Sequence, residues 1–188
     1  MTSENTVDLC RQFIEILEMG SQRAVIEMAV TSIHNNRERF RVVFDMCFSE
    51  KYPLNMRASW AVQLSCEKNP SLFSLDEDVI RHSLEHENEG VRRNFLKIFC
   101  HHIDFEKIKG SGYLLNHCFQ VLLDTSEKPA LRVYCMQILY KFSMKEQDVR
   151  RELEEVLEFL DEEPAPSFIN CKKKILRKIK AVGTGISK

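Results

Sequence analysis

The sequence predicts an all-α fold, and three observations carry that reading. Apolar residues recur at the i, i+3, i+4 spacing along almost the whole chain of 188 residues, which lines them up on one helix face. No segment alternates apolar and polar residues cleanly enough for a strand. Only six Gly and five Pro punctuate the chain, so helix breaks are confined to a few places.

Taken in order, the first helix is expected over 5–18, on the stripe Val7, Cys10, Phe13 and Leu17. The second, over 22–35, follows Val25, Met28, Ala29 and Ile33. A third is expected over 37–49 and a fourth over 54–68, the latter carrying Trp60, Ala61 and Leu64 and ending at Asn69-Pro70. Ser74-Leu-Asp-Glu77 reads as a capping box that opens a helix over 75–87, the Ser and Glu side chains reciprocally satisfying free amides. Val91, Phe95, Ile98 and Phe99 mark a helix over 90–103, and Gly110-Ser-Gly112 marks the turn before 112–124. Pro129 marks the next turn, at the start of a helix over 128–143 built on Tyr134, Ile138, Leu139 and Phe142. Ser143-Met-Lys-Glu146 is a second capping box, opening 145–161. Pro164-Ala-Pro166 then precedes a helix over 166–181 with Phe168, Cys171, Ile175 and Ile179 on its apolar face. Ten helices joined by short loops favour antiparallel neighbours.

Composition bounds the class. A hydrophobic share of 44% against 29% charged is enough to bury a core in one domain of residues 1–188. Twelve Phe and a net charge of −1 run against the signature of disorder. No apolar run approaches the roughly 18–20 residues of a membrane span. The N-terminus lacks the basic region and apolar stretch of a secretory signal, so no membrane and a cytoplasmic location are expected. Seven Cys, at 10, 47, 66, 100, 118, 135 and 171, form no C-x-x-C pair and lie in apolar stretches, which suits reduced packing residues in a cytosolic protein. Charge is uneven along the chain. Residues 1–169 hold 20 Lys/Arg against 28 Asp/Glu, a net of −8, whereas 170–188 hold seven bases and no acid. Nine acids within 145–163 stand just ahead of that basic end, as expected of two antiparallel helices of partly complementary charge.

An internal repeat organises these helices. The segments Asn55–Leu64, Gly90–Phe99 and Ala130–Leu139 each begin with an apolar residue followed by Arg: Met56-Arg57, Val91-Arg92 and Leu131-Arg132. The Arg spacings are 35 and 40 residues, and a fourth unit from Ser167 has Ile169 in the Arg position. An acid stands seven or eight residues ahead of each: Glu50, Glu85, Asp124 and Asp161. This arrangement resembles the HEAT repeat. The resemblance implies a right-handed α-solenoid (α-α superhelix) of about four HEAT-like helix pairs, in repeats 37–68, 69–103, 104–143 and 144–181. Residues 1–36 would form an N-terminal capping helix pair, and 182–188 a flexible tail. By resemblance, Arg57, Arg92 and Arg132 with their acids form a structural ladder rather than a ligand site.

Catalytic signatures are sparse. His82-Ser-Leu-Glu-His86 matches the H-x-x-E-H pattern of a metallopeptidase family. On a helix His82 and His86 would share a face and ligate one zinc ion, with Glu85 as base. A third ligand would have to come from Glu154, Glu155 or Glu158. The segment also coincides with an ordinary helix end in the repeat reading, so a metal-dependent hydrolase is an alternative and no cofactor is expected. His86-Glu87 is a single His-Glu pair, whereas the HEAT-type hydroxylase of deoxyhypusine needs several. Adjacent His101 and His102 point in different directions, and His117 has no visible partner. No nucleophile elbow, phosphate loop or dinucleotide motif occurs, and Gly110-Ser-Gly112 is a turn. The Ser-Ser-x-Met-Pro-x-Lys-x-Asn loop of the helical fumarase-type lyases is also absent.

The expected function is therefore a non-enzymatic protein–protein interaction scaffold. In HEAT-like solenoids the second helix of each pair usually lines the concave, partner-binding surface. The polar residues expected there are Arg93, Lys97 and His101, then Gln137 and Lys141, then Lys173 and Arg177, with Gln63, Glu67 and Lys180 in matching positions. Trp60 is expected in the core. Another protein, with an acidic segment facing the C-terminal half, is the expected partner. A nucleic-acid-binding protein using the basic C-terminal helix ranks below it, because residues 1–169 are net acidic.

Overall fold

A computed structural model describes residues 3–74, 76–102, 111–160 and 165–183. Every regular element among them is helical. The chain divides into two compact units, residues 1–104 and 105–188.

The first unit holds α1 (Ser3–Glu18), α2 (Arg23–Ile33), α3 (Arg37–Met46), α4 (Leu54–Lys68), a 3-10 turn (Pro70–Leu72), α5 (Glu77–Leu84) and α6 (Glu89–His102). Sequence partners α1/α2, α3/α4 and α5/α6 pack on each other, and α4 also packs against α1, α2 and α6. The helices α2, α4 and α6 thus form a row in which α4 is central. Its composition suits that place, because no charged residue occurs between Arg57 and Glu67. Ala58, Ala61, Val62 and Cys66 are fully buried, and so are or nearly are Asn55, Ser59, Gln63 and Ser65. Ser59 donates to Met56 O and accepts from Asn94 Nδ2 of α6 at 2.9 Å, a polar link between the two helices inside this seam. A Cβ on Gly90 would stand 2.9 Å from Met56 Cγ, so the glycine allows α6 to begin close against α4.

Phenylalanines fasten the outer helix of this row. Phe44 meets Phe40, Phe48, Phe73 and Phe95 at centroid distances of 5.2–6.2 Å, and Phe99 lies 6.2 Å from Phe95. Such pairs contribute about 0.5–1.5 kcal/mol each beyond their buried area. They tie α3, the segment after the 3-10 turn and α6 together.

The second unit holds α7 (Ser111–Leu123), α8 (Pro129–Ser143), α9 (Gln147–Phe159) and α10 (Pro166–Gly183). Here α8 is central, packed on α7, α9 and α10. Leu139, Leu153 and Phe168 are among the side chains closed off from water between these helices.

Helix starts depart from expectation in two places. The box at Ser74–Glu77 does not form: α5 begins two residues later, capped by Asp76, whose carboxylate accepts from Val79 N at 2.8 Å. That helix ends at Leu84, short of the expected 87. The box at Ser143–Glu146 also fails. Ser143 is buried in the last turn of α8 and donates to Tyr140 O, so it cannot face the start of α9. Asn36, by contrast, caps α3 by accepting from Glu38 N and Arg39 N. Before it, α2 terminates in two left-handed residues, His34 and Asn35. Val7 and Met28, expected on apolar stripes, are 57% and 45% exposed. The turn at Gly110, the acid Asp161 and the tail 184–188 lie outside the described residues.

Five of the seven cysteines are buried, and Cys10 and Cys171 half-buried. Burial pushes the Cys47 thiol well up and that of Cys66 up to about 12, with Glu67 adding to the latter. Both are packing residues in a protonated state.

Candidate protein-interaction surface

Each unit presents the outward edges of its second helices, α2, α4 and α6 in one and α8 and α10 in the other. Arg93 and His101 of α6 are exposed. Lys97, between them, is committed to a neighbouring helix, with its ammonium 2.9 Å from the Glu67 carboxylate of α4. Burial alone would push the Glu67 carboxyl up. The bonded Lys97 ammonium outweighs it and holds the group below its ordinary range. Gln63 is 1% exposed, so it belongs to the α4 seam and not to the surface expected for it. Trp60 is half-buried at the edge of that seam.

In the second unit Gln137 is half-buried, with its amide 3.9 Å from Cys171 Sγ of α10, and Lys141 is half-buried near the end of α8. Lys173 and Arg177 are exposed. Lys180 bonds Glu158 of α9 at 2.6 Å, so its edge of α10 faces α9. The side facing α8 carries Lys178, whose ammonium sits 5.2 Å from the Tyr140 ring centre. Sequence reasoning missed Lys178 and Tyr140. Their place beside each other depends on how α8 and α10 cross, which no local motif records.

Two arginines of the repeat, Arg57 and Arg132, bind main chain. Arg57 donates to Leu17 O at 2.8 Å and Ser21 Oγ at 2.9 Å, which caps the end of α1. Arg132, fully buried, directs Nε and Nη2 at Leu122 O, at 3.0 and 2.9 Å, and stacks over Phe168 at 4.6 Å. The end of a helix exposes carbonyls with partial negative charge, which is what a guanidinium or ammonium satisfies. Arg92 lies half-buried in the first turn of α6, close enough to His86 to act on its charge. The fourth unit lacks this Arg, and Lys172, one turn beyond Ile169, fills the role by donating to Leu160 O at the end of α9.

The histidine motif is divided by the end of α5. His82 lies in the helix, whereas His86 follows it after the C-cap Glu85, so the two do not share a helix face as expected. His82 Nδ1 bonds Asp78 O at 2.8 Å. His86 Nδ1 accepts from Asn88 N at 3.0 Å while the ring also engages the Cys47 backbone. That leaves His86 poorly placed to give a lone pair to zinc. Both rings line a pocket of about 750 Å³ with Phe48, Glu50, Tyr52, Asn55 and Glu87. No group of three His, Cys, Asp or Glu among the described residues is arranged to hold a metal. Burial lowers the pKa of His86, as expected of a ring kept neutral by packing. The rings of His101 and His102 are tilted to one another with centroids 6.1 Å apart, and His117 stacks on Tyr113 at 6.2 Å. No helix among the described residues is long and apolar enough to cross a membrane.

Comparison with curated proteins and with solved structures finds no match. A family model described as a HEAT repeat domain matches residues 13–179, which takes in α2 to α9 whole, the last part of α1 and most of α10. With the packed helix pairs and the recurring basic residue at the start of the second helix, that match identifies the chain as a member of the HEAT repeat family.

Proposed function

We propose that this protein is a non-catalytic scaffold that binds another protein on the exposed edges of its second helices. The carrying observation is the way those edges are held. The central helices α4 and α8 are packed on several neighbours, so the residues at their borders are presented on rigid elements. Arg93 and His101 in one unit and Tyr140, Lys141, Lys173 and Arg177 in the other are polar or amphipathic groups suited to contact. Lys97 contributes through its bond to Glu67, which fixes where its charge lies. Affinity would come from a few such anchors within a polar rim, with little rearrangement of the helices. The proposal includes the division into repeats 37–68, 69–103, 104–143 and 144–181, supported by the packing of α3/α4, α5/α6, α7/α8 and α9/α10. It also includes a cytoplasmic setting, supported by thiols placed as core residues.

Affinity capture from native extract tests the reading, using the tagged full chain and the variant R93E/H101E, with and without nuclease. A protein retained after nuclease treatment by the natural chain, and reduced in the variant without a fall in melting temperature, is the expected result. Material that disappears with nuclease would overturn the scaffold reading.

A further inference from the structure

Six basic residues and no acid lie on α10. Three of the six are engaged locally: Lys172 with Leu160 O, Lys180 with Glu158, and Lys178 over the Tyr140 ring. Lys173, Lys174 and Arg177 are exposed and form no ion pair among the described residues. They fall within five consecutive residues, a rise of about 6 Å along the helix. Lys178, in the next position, lengthens this strip and carries it to the edge of α8. On the other side it ends at α9, where Glu158 holds Lys180 and Glu154 adds to the negative field there.

We infer that this strip, formed by Lys173, Lys174, Arg177 and Lys178 beside Tyr140, docks a short acidic segment of the partner protein. The inference rests on the scaffold reading and names the chemistry of the partner it receives. Charge complementarity selects an anion, since four cations crowd one face with no carboxylate of their own helix to balance them. Size then selects the class. Two or three carboxylates on a peptide match a strip about one turn long. A nucleic acid, with about one charge per 1.7 Å of duplex, would continue past the strip and meet the carboxylates of α9. The Tyr140 ring gives the segment an apolar neighbour for one side chain between its acids.

Fluorescence anisotropy of labelled hexaglutamate with the full chain, at about 0.15 M salt, is the test. Labelled hexathymidylate serves as the nucleic-acid probe. The expected result is saturable hexaglutamate binding that weakens at least about tenfold in K174E/R177E, at unchanged melting temperature. The charge-conserving K174R/R177K should retain it. Should the double reversal fail to fold, K174Q alone should still weaken binding about threefold. Equal binding by the natural chain and K174E/R177E, or K174Q if that fails to fold, would overturn the inference, and so would hexathymidylate binding as tightly as the peptide. A protein captured from extract equally by the natural chain and K174E/R177E would leave the scaffold reading standing and sink this one.

Discussion

Replacing Arg132 by Met separates a structural from a ligand-binding role for the repeat arginine. Met keeps much of the unbranched stem and so limits the cavity, but it removes both N–H groups from Leu122 O and the cation from the face of Phe168. Leaving that buried carbonyl without the arginine costs about 1–3 kcal/mol. The lost cation–π contact, desolvated here, adds about 1–2 kcal/mol. Against these stands the cost of burying a guanidinium at 0% exposure, several kcal/mol of which the variant escapes. With half of the losses offset, a net destabilisation of about 1–2.5 kcal/mol is expected. For a chain of this size that is a fall of about 2–10 °C in melting temperature. Thermal unfolding followed by far-UV circular dichroism reads it, and the fall should lie in the transition of residues 105–188 if the two units melt apart. Arg132→Ala, which adds a cavity, should cost about 4–5 kcal/mol. A Met variant that melts within about 1 °C of the natural chain, or above it, would refute the argument that the guanidinium stabilises the end of α7.

Three further outcomes are expected. Lys172→Met should destabilise the chain by about 1 kcal/mol in urea titration, since the Leu160 carbonyl loses its donor at the end of α9. Lys97→Ala should cost under about 1 kcal/mol at neutral pH, because both partners are partly solvated. The depressed carboxyl of Glu67 makes that contribution full above the ordinary carboxylate range and lost as pH falls through its lowered value, so natural and variant midpoints should converge in acid. The lowered pKa of His86 means that the folded chain binds fewer protons there than the unfolded one. Stability from this site is full above about pH 6.5 and declines as pH falls through the folded value, and His86→Gln should flatten that decline in urea midpoints.

Much of the architecture is legible in the residues, since helical spacing is a local property. Nearly every apolar stripe coincides with a helix, and Asn69-Pro70 does end α4. The basic residue at the start of the second helix is also visible. Its partner is not. Asp124, the acid ahead of Arg132, does feel its charge, whereas Arg57 reaches back forty residues to Leu17 O. A carbonyl is present at every position and so leaves no mark in a sequence. Surface placement was partly hidden for a related reason. Gln63 and Lys97 have the spacing of exposed residues on isolated helices, and only the packing of α4 against α6 draws one into the seam and pairs the other with Glu67. The histidine motif misleads because H-x-x-E-H implies a continuous helix, and α5 stops within it.

The enclosure of α4 bears on how the first unit comes apart. A helix with water along one side can fray by itself while its neighbours stay folded. Here Asn55, Ser59, Gln63 and Ser65 are shut in along with the apolar side chains, and neighbours stand on several flanks. Opening α4 would strip α2, α3 and α6 of their common support at the same moment. Its amide protons should therefore be the slowest in the unit to exchange with solvent, departing only when residues 1–104 unfold together.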